Sequence, residues 1–254
     1  MWTRHRDIYA AFATRLVSLL LFFLLWELVA RLLGSRLLPT ASQVFLAMAA
    51  EITGGQLLHH LSITLLRVAV SFLIAMSVGT LIGVAMGWAK QLDAIFDSWV
   101  ILLLNIPALV VIVLAYVWLG LSELALLVAV ALNKLPTVVV TLREGARTLE
   151  RDYSELVRSF QLGPWRALRH VVMPQLYPFL LVSARSGLSL IWKIVLVAEL
   201  LGRSDGVGFM IQLYFQLFDV THILAYTIAF AAVVQGIEWG VLQPIERRVG
   251  RWRR

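Results

Sequence analysis

Charged side chains interrupt the long apolar stretches of this 254-residue sequence. Lys134 lies among Leu, Val and Ala residues in one stretch. Arg185 and Lys193 lie eight positions apart in another, which places them within about 80° of each other on a helix. Ionisable groups in hydrocarbon are costly, and they usually face a polar partner or a water-filled cavity. The chemistry that these residues could perform is the attraction of an anion or the neutralisation of a carboxylate.

Two interpretations of these residues remain open. In the first, Lys193 lines a translocation path together with Trp192 and attracts an anionic solute. In the second, Lys193 forms a structural ion pair with a glutamate of another helix. The candidate pathway residues under the first interpretation are Asn105, Lys134, Arg185, Trp192, Lys193 and Glu199.

A second group of residues with recognisable spacing lies between two apolar stretches, in residues 143–175. Apolar side chains recur at helical spacing before Gly163 and again after Pro164, so the segment predicts two short amphipathic helices joined by a bend. The second helix is expected to end at Pro174 and Pro178. Arginines flank the pair, which a partner protein could grip and move.

The composition limits the class of protein that positions these residues. Hydrophobic residues make up 60% of the chain and charged residues 15%, whereas a soluble domain carries roughly a quarter charged residues. So much apolar side chain cannot be hidden inside one water-soluble core of this size. The absence of Cys excludes a disulfide scaffold. The sequence therefore indicates an all-α, polytopic membrane protein.

Six stretches are long and apolar enough to cross ~30 Å of hydrocarbon as helices. Most of the 22 Lys and Arg residues fall on the side that holds both termini, so the positive-inside rule predicts that both termini are cytoplasmic. The basic C-terminus is then a membrane anchor rather than a nucleic-acid patch. The predicted spans are Leu16–Leu33, Ala69–Trp88, Ile95–Leu119, Leu124–Leu142, Leu176–Leu201 and His222–Leu242.

The loops complete the predicted organisation. Thr40 is a plausible N-cap for an interfacial helix that begins at Ala41. Residues 202–208 predict a tight external turn and residues 209–218 a short helix. The predicted segments are a cytoplasmic segment 1–15, a first transmembrane helix 16–33, an external segment 34–68, a five-helix core 69–242 that includes the loop 143–175, and a basic cytoplasmic tail 243–254.

Gly79, Gly83 and Gly87 repeat every four residues in the second span. This spacing favours close helix packing, either within one subunit or at a dimer interface.

The residues of the loop resemble a known family. The string from Glu155 to Phe160, followed by Pro174, is similar to the EAA signature of the inner-membrane permeases of binding-protein-dependent ABC importers (type I fold), and most of all to the nitrate, sulfonate and taurine group. The family's alanine and glycine are replaced here by Val157 and Gln161. Further similar strings, over about residues 20–245, are Trp26-Glu27, Leu38-Pro39-Thr40, Asn105-Ile106-Pro107, Ala198-Glu199 and Gly206-Val207-Gly208.

The resemblance implies the transmembrane permease subunit of an ABC importer in the bacterial inner (plasma) membrane, with a small anion such as a sulfonate or nitrate as substrate. It implies a second copy of the chain, two cytoplasmic ATP-binding subunits and an extracytoplasmic solute-binding protein as partners. The chain contains no G-x-x-x-x-G-K-[ST] phosphate loop, so ATP and Mg are assigned to the partner, and no enzyme activity, metal or other cofactor is expected here. The residues implied in ATPase coupling are Glu155, Arg158, Ser159, Phe160, Gly163, Trp165, Leu168, Arg169 and Pro174.

Two other classes of protein fit the sequence less well. A secondary transporter or channel of six-helix architecture is disfavoured because the two halves show no evident inverted repeat. An intramembrane enzyme is disfavoured because the spans contain no convergent His/Asp/Glu or Ser/His set. Dependence of uptake on ATP hydrolysis rather than on an ion gradient separates the importer from the secondary transporter.

Overall fold

The computed structural model describes residues 2–148, 163–242 and 244, and within them the backbone is helical apart from short connections. No strand occurs in these ranges, which agrees with the predicted all-α class. The helices are α1 Trp2–Leu33, α2 Ala41–Thr53, α3 Gln56–Trp88, α4 Lys90–Asn105, α5 Ala108–Leu119, α6 Glu123–Arg147, α7 Pro164–Ala167, α8 Met173–Gly202, α9 Val207–Gln216 and α10 Val220–Ile237. One π-helical turn, Leu168–Val172, joins α7 to α8, and another, Glu238–Leu242, extends α10.

Four of these helices, α3, α6, α8 and α10 with its extension, are each long and apolar enough to cross a membrane. The pair α4 and α5 qualifies only when taken together, and it is bent by 99°. The single span predicted over Ile95–Leu119 is therefore broken. Ile106 is extended, with φ −77° and ψ 126°, because Pro107 disfavours helical geometry in the residue before it.

The second predicted span is longer than the sequence suggested. α3 begins at Gln56, so residues 56–68, which the sequence assigned to the external segment, are helical and continuous with the second span. His60 and Arg67 made this stretch resemble a loop in the hydropathy pattern, yet both side chains are buried against the rest of the protein. The predicted first span, residues 16–33, lies within α1, which begins earlier, at Trp2.

The predicted cap of α2 is confirmed. The Gln43 N–H donates to Thr40 Oγ1 and the Thr40 N–H donates to Gln43 Oε1, which is a reciprocal capping box. Ala41 and Val44 are buried. Glu51 accepts a hydrogen bond from the hydroxyl of Tyr226 at 2.8 Å, so α2 is fixed to α10.

The glycines of α3 pack against α6 of the same subunit, which answers the question that their spacing left open. A Cβ added at Gly79 would lie 2.7 Å from the Cβ of Val138, and one added at Gly87 would lie 2.5 Å from the Cβ of Ala146. Such distances allow no side chain, so the two backbones pack as closely as small residues permit. Because the earlier glycine of α3 meets the earlier residue of α6 and the later glycine meets the later one, the two helices run parallel.

Helix α8 packs antiparallel on the same α6. Phe179, near the start of α8, lies against Gly145, where an added Cβ would be 2.7 Å from the ring. Leu142 and Leu176 are buried beside this contact. Helices α3, α6 and α8 thus form a three-helix centre.

An ion-pair group fixes α4 to α6 at the end of α6 that precedes the long loop. Arg143 donates to Asp93 at 3.1 Å and to Asp97 at 2.5 Å. Arg147 also pairs with Asp93. These ion pairs lie within the last turn or so of α6, so they hold the start of α4 next to the point where the long loop begins.

Replacing Gly83 by Ala should destabilise the protein, because the new Cβ would lie 2.6 Å from the backbone oxygen of Val139. Backbone cannot move aside as a flexible side chain can, so we expect a loss of about 1–3 kcal/mol in the free energy of unfolding. Thermal unfolding in detergent measures it. The matched control is Gly236→Ala in α10, where an added Cβ meets nothing within 4 Å. Equal melting temperatures of the two variants would contradict the packing argument.

Candidate functional site

The long loop between α6 and α8 is described only in its second half. The predicted coupling residues Glu155, Arg158, Ser159 and Phe160 lie outside the described residues. α7 begins at Pro164, as the sequence predicted. Trp165 is 72% exposed at the start of this helix. Gly163, Arg169 and Pro174 are exposed as well, while Leu168 begins the π-helical turn.

The prediction that Pro174 and Pro178 end the second loop helix is wrong. α7 continues through the π-helical turn Leu168–Val172 directly into α8, and both prolines lie in α8. Pro174 is tolerated in the first turn of α8, where the missing N–H is not needed. The wider i→i+5 hydrogen-bond spacing of the π-helical turn lets α7 and α8 join without a break in the helix. The exposed Trp165 is consequently joined to a membrane-spanning helix without a flexible link.

The two residues proposed together for the pathway, Trp192 and Lys193, differ in exposure, because consecutive positions of a helix lie about 100° apart. Trp192 is buried, and its ring meets Phe230 edge-on with centroids 6.3 Å apart. Lys193 is exposed, on the same face as Ser186 and Ser189. The exposed face of α8 therefore carries two hydroxyl groups and an ammonium group.

The structural ion pair suggested for Lys193 is found instead at Arg185. Arg185 Nη2 lies 3.4 Å from Glu238 Oε1, which joins α8 to the extension of α10. Within the described ranges, no carboxylate lies within 4 Å of Lys193. The described residues therefore contain no glutamate partner for Lys193.

Lys134 is buried, with 2% of its surface exposed. Its ammonium group donates to Ser186 Oγ over 3.4 Å, which is a weak hydrogen bond from α6 to α8. The side chain occupies the space left by Gly187, where a Cβ would lie 2.9 Å from Lys134 Cε. Lys134 thus lies directly behind the exposed face of α8.

The remaining two pathway candidates lie elsewhere. Asn105 ends α4 at the break, is exposed, and donates to the backbone oxygen of Ile101 at 2.7 Å. Glu199 is fully buried. The structure therefore places Lys134 against Ser186 and Gly187 of α8, whereas Asn105 ends α4 and Glu199 lies near the end of α8.

Glu199 belongs to a cluster of ionised side chains centred on the buried Arg67, at the end of α6 opposite the long loop. The guanidinium donates to both oxygens of Glu123 at 2.7 and 2.8 Å, to Glu199 at 2.8 Å and to Asp205 at 2.5 Å. Arg203 adds a second cation, 2.9 Å from Glu123. We name these five residues the Arg67 cluster. It joins α3, α6, α8 and the turn before α9.

The start of α9 is fixed by the same region. The backbone N–H groups of residues 206–208 donate to His60 Nδ1, Thr64 Oγ1 and Glu199 Oε2, at 3.0, 2.8 and 2.9 Å. Helix N-termini leave such groups without intrahelical partners, so side chains from α3 and α8 supply them. His60 therefore serves as a structural acceptor.

Sequence reasoning missed Arg67, Thr64 and Asp205 as a group. The sequence does show several charged residues in apolar surroundings near one end of the spans. Nothing in the local pattern, however, indicates that residue 67 contacts residues 123, 199 and 205. Thr64 and Arg67 lie three positions apart and so share one face of α3. That spacing could have indicated a polar face on α3.

Asp205 lies outside the spanning helices and shows how the cluster affects titration. Burial by itself raises the pKa of this carboxyl group, but the hydrogen bond and charge of Arg67 outweigh it and hold the pKa below the ordinary value of 3.8. The charged form is therefore favoured in the folded protein.

The fold and these sites define a class of helical membrane protein. An ion cluster around the buried Arg67 lies at one end, a long connecting loop lies at the other, and polar groups lie on one helix face between them. The sequence profile of the family described as the binding-protein-dependent transport system inner membrane component matches residues 75–237. The chain belongs to this family, and the predicted ABC importer permease fold is confirmed.

Individual relatives agree with the family. An aliphatic sulfonates transport permease, SsuC of Bacillus subtilis (strain 168), is 29% identical over 231 residues, which cover 90% of this chain and 83% of that protein. The taurine transport system permease protein TauC of Escherichia coli (strain K12) is 25% identical over 99% of this chain and 92% of its own length. A chain of the inward-facing MetNI methionine ABC transporter shares the fold, with a TM-score of 0.63, 18% identity, and coverage of 73% of this chain and 92% of that one.

Replacing Arg67 by Met should strongly destabilise the protein, because Glu199 would remain buried without its cation. Breaking a buried pair in this way costs about 3–5 kcal/mol in the free energy of unfolding. The double variant Arg67→Met/Glu199→Gln should recover part of that loss, since the uncompensated charge is gone. Urea unfolding in detergent measures both, with the exposed Arg36→Met as control. A double variant that is less stable than the single one would refute the charge argument.

The Asp205 pKa predicts an acid dependence of stability. A carboxyl group whose folded pKa is depressed contributes stability above its unfolded pKa of about 3.9, and that contribution is lost as the pH falls through the lower folded value. Asp205→Asn should therefore lower the melting temperature at pH 6 and flatten its decline between pH 5 and pH 3. Thermal unfolding across this range tests it. Parallel pH profiles of the two proteins would show that Asp205 contributes nothing.

Proposed function

We propose that this chain is the translocation subunit of an ATP-driven importer whose substrate is a small anion, most of all a sulfonate. The observation that carries the proposal is the similarity over 90% or more of the chain to permeases named for aliphatic sulfonates and for taurine. Both names denote compounds with a sulfonate group. The exposed Lys193 of α8 supports an anionic solute, because it places positive charge on a membrane-spanning helix.

In this proposal two copies of the chain form the pore, and each loop 143–175 contacts one of two cytoplasmic ATP-binding subunits. The exposure of Trp165 supports this role, since large exposed aromatic side chains are frequent anchors of protein interfaces. Arg166 and Arg169 are exposed beside it and would pair with acidic groups of the ATPase. Glu155, Arg158, Ser159 and Phe160 complete the proposed contact.

The proposed orientation places both termini and the loop in the cytoplasm and the Arg67 cluster at the external end. The support is the distribution of Lys and Arg in the sequence, which is richest in the loop and the tail. A solute-binding protein would then deliver the anion to the external end of the dimer. ATP and Mg would be bound by the partner subunits.

Transport would proceed by alternating access between two packings of similar free energy. ATP binding would draw the two loops together, and hydrolysis would release them. The continuous connection from α7 through the π-helical turn to α8 supports this coupling, because displacement of Trp165 would move α8 itself.

Uptake assays test the driving force. We expect proteoliposomes that contain this chain, its ATP-binding subunit and its solute-binding protein to accumulate ³⁵S-methanesulfonate or ³⁵S-taurine with ATP inside. Accumulation should stop with a non-hydrolysable ATP analogue and persist when ionophores dissipate ion gradients. Uptake that depends on an ion gradient and does not depend on ATP would refute the proposal of an ATP-driven importer and favour a secondary transporter.

Co-purification tests the coupling contact. Phe160→Asp and Trp165→Asp should each reduce the amount of ATPase recovered with the chain about tenfold or more, since a buried interface anchor contributes at least about 2 kcal/mol. The control is Leu37→Asp, which alters another exposed apolar residue far from the loop. Unchanged ATPase recovery and transport in both loop variants would refute the contact.

A further inference from the structure

We propose that Lys134 and Ser186 form an anion-binding site at the middle of the membrane, which takes the sulfonate group of the transported solute. This inference rests on the proposed function and names the residues of the chain that would bind the transported anion. Lys134 would supply the positive charge, and Ser186 would supply a hydroxyl group on the exposed face of α8.

The first argument is the partner that Lys134 lacks. The other deeply buried cation of the spanning helices, Arg67, is surrounded by the carboxylates of Glu123, Glu199 and Asp205. Within the described ranges no carboxylate lies within 4 Å of Lys134, and its recorded hydrogen bond is the long one to Ser186. An ammonium group has three donors, so two remain available. A lysine retained only for stability would be expected to have a carboxylate partner.

The second argument is depth. Lys134 lies close to the midpoint of α6, and its neighbour Gly187 lies close to the midpoint of α8. Phe72, which borders the same space, lies close to the midpoint of α3. A charge at the centre of the hydrocarbon has the highest desolvation cost, so such residues usually serve substrate or ion movement.

The third argument is the way the neighbours make room for the lysine. An added Cβ at Gly187 would lie 2.9 Å from Lys134 Cε and 3.7 Å from both Lys134 Nζ and Phe72 Cε2. Glycine at this position thus lets the side chain pass between α6 and α8 toward Ser186. The ammonium group is held at a fixed place by packing and not by an ion pair.

The fourth argument is access. Ser186, Ser189 and Lys193 are exposed and follow one another at helical spacing, so they form a polar stripe along α8. Lipid is an unfavourable environment for such a stripe, so it faces water or the second copy. Ser186 Oγ donates to the backbone oxygen of Ser183 and accepts from Lys134. An anion that moves along the stripe meets Ser186, and the ammonium group lies immediately behind it.

The chemistry fits a sulfonate better than a neutral solute. A sulfonate presents three oxygen acceptors, and Lys134 has two donors beyond the one directed at Ser186. The Ser186 hydroxyl group would supply a third hydrogen bond by rotating its hydrogen from the backbone oxygen of Ser183 to the anion. Hydrogen bonds to an ionised group are shorter and stronger than neutral ones. The site would hold the anion weakly, since one lysine without a second cation allows release to the other side.

The test measures uptake of ³⁵S-methanesulfonate and ³⁵S-taurine at saturating solute-binding protein, together with the ATPase rate. Lys134→Met should reduce the maximal uptake rate about tenfold or more, because a charge-assisted contact is lost. ATP hydrolysis stimulated by the binding protein should remain. Lys134→Arg should retain uptake in large part, since the positive charge is kept. Lys90→Met, an exposed lysine at the start of α4, serves as the matched control and should transport normally.

Each other outcome overturns a defined statement. Normal uptake by Lys134→Met would overturn the site and leave the proposed function intact. Equal loss of uptake, ATPase stimulation and melting temperature in both Lys134→Met and Lys134→Arg would assign the residue a structural role and also overturn the site. Absence of ATP-dependent uptake of either probe by the unaltered protein would overturn the proposed function, and the site with it.

Discussion

The burial of the Arg67 guanidinium is the constraint on which the arrangement of the helices depends. A buried cation must be neutralised and its donors must be satisfied, or the cost reaches several kcal/mol. Here the acceptors come from α6, from α8 and from the turn before α9. One residue on α3 therefore fixes the start of α6, the end of α8 and the entry to α9. The same carboxylate of Glu199 also receives the N–H of Gly208, so the start of α9 shares the constraint.

Close packing of the helix backbones holds these helices together along the rest of their length. The glycines of α3 bring its backbone against α6, and Gly145 admits Phe179 of α8. Polar pairing at one end and glycine contacts toward the other hold α3, α6 and α8 in register over their length. The opposite side of α8 keeps its serines and Lys193 exposed. Structural contacts and the proposed path for the solute thus occupy different faces of one helix.

Local patterns predicted the features that depend on neighbouring residues: the cap at Thr40, the start of α7 at Pro164 and the apolar cores of the spans. Local patterns did not predict the features that depend on contacts between distant residues. α3 extends back to Gln56, and its His60 and Arg67 have partners far along the chain.

The strings that carry the family resemblance also include residues that are distant in sequence and in contact in the structure. Trp26 Nε1 donates to the oxygen of Pro39 at 3.0 Å, and Glu27 accepts from the N–H of Ser42 at 3.0 Å. These two strings are contact partners, which spacing alone does not reveal.

The break between α4 and α5 gives one apolar stretch two directions. The start of α4 is tied to α6 through Arg143. The end of α5 is tied to α8 through the Tyr116 hydroxyl group, which donates to the backbone oxygen of Ala198 at 2.8 Å. The 99° bend at Ile106-Pro107 therefore lets two short helices make polar contacts at opposite ends of the spans, where one straight helix would present a single line of contacts.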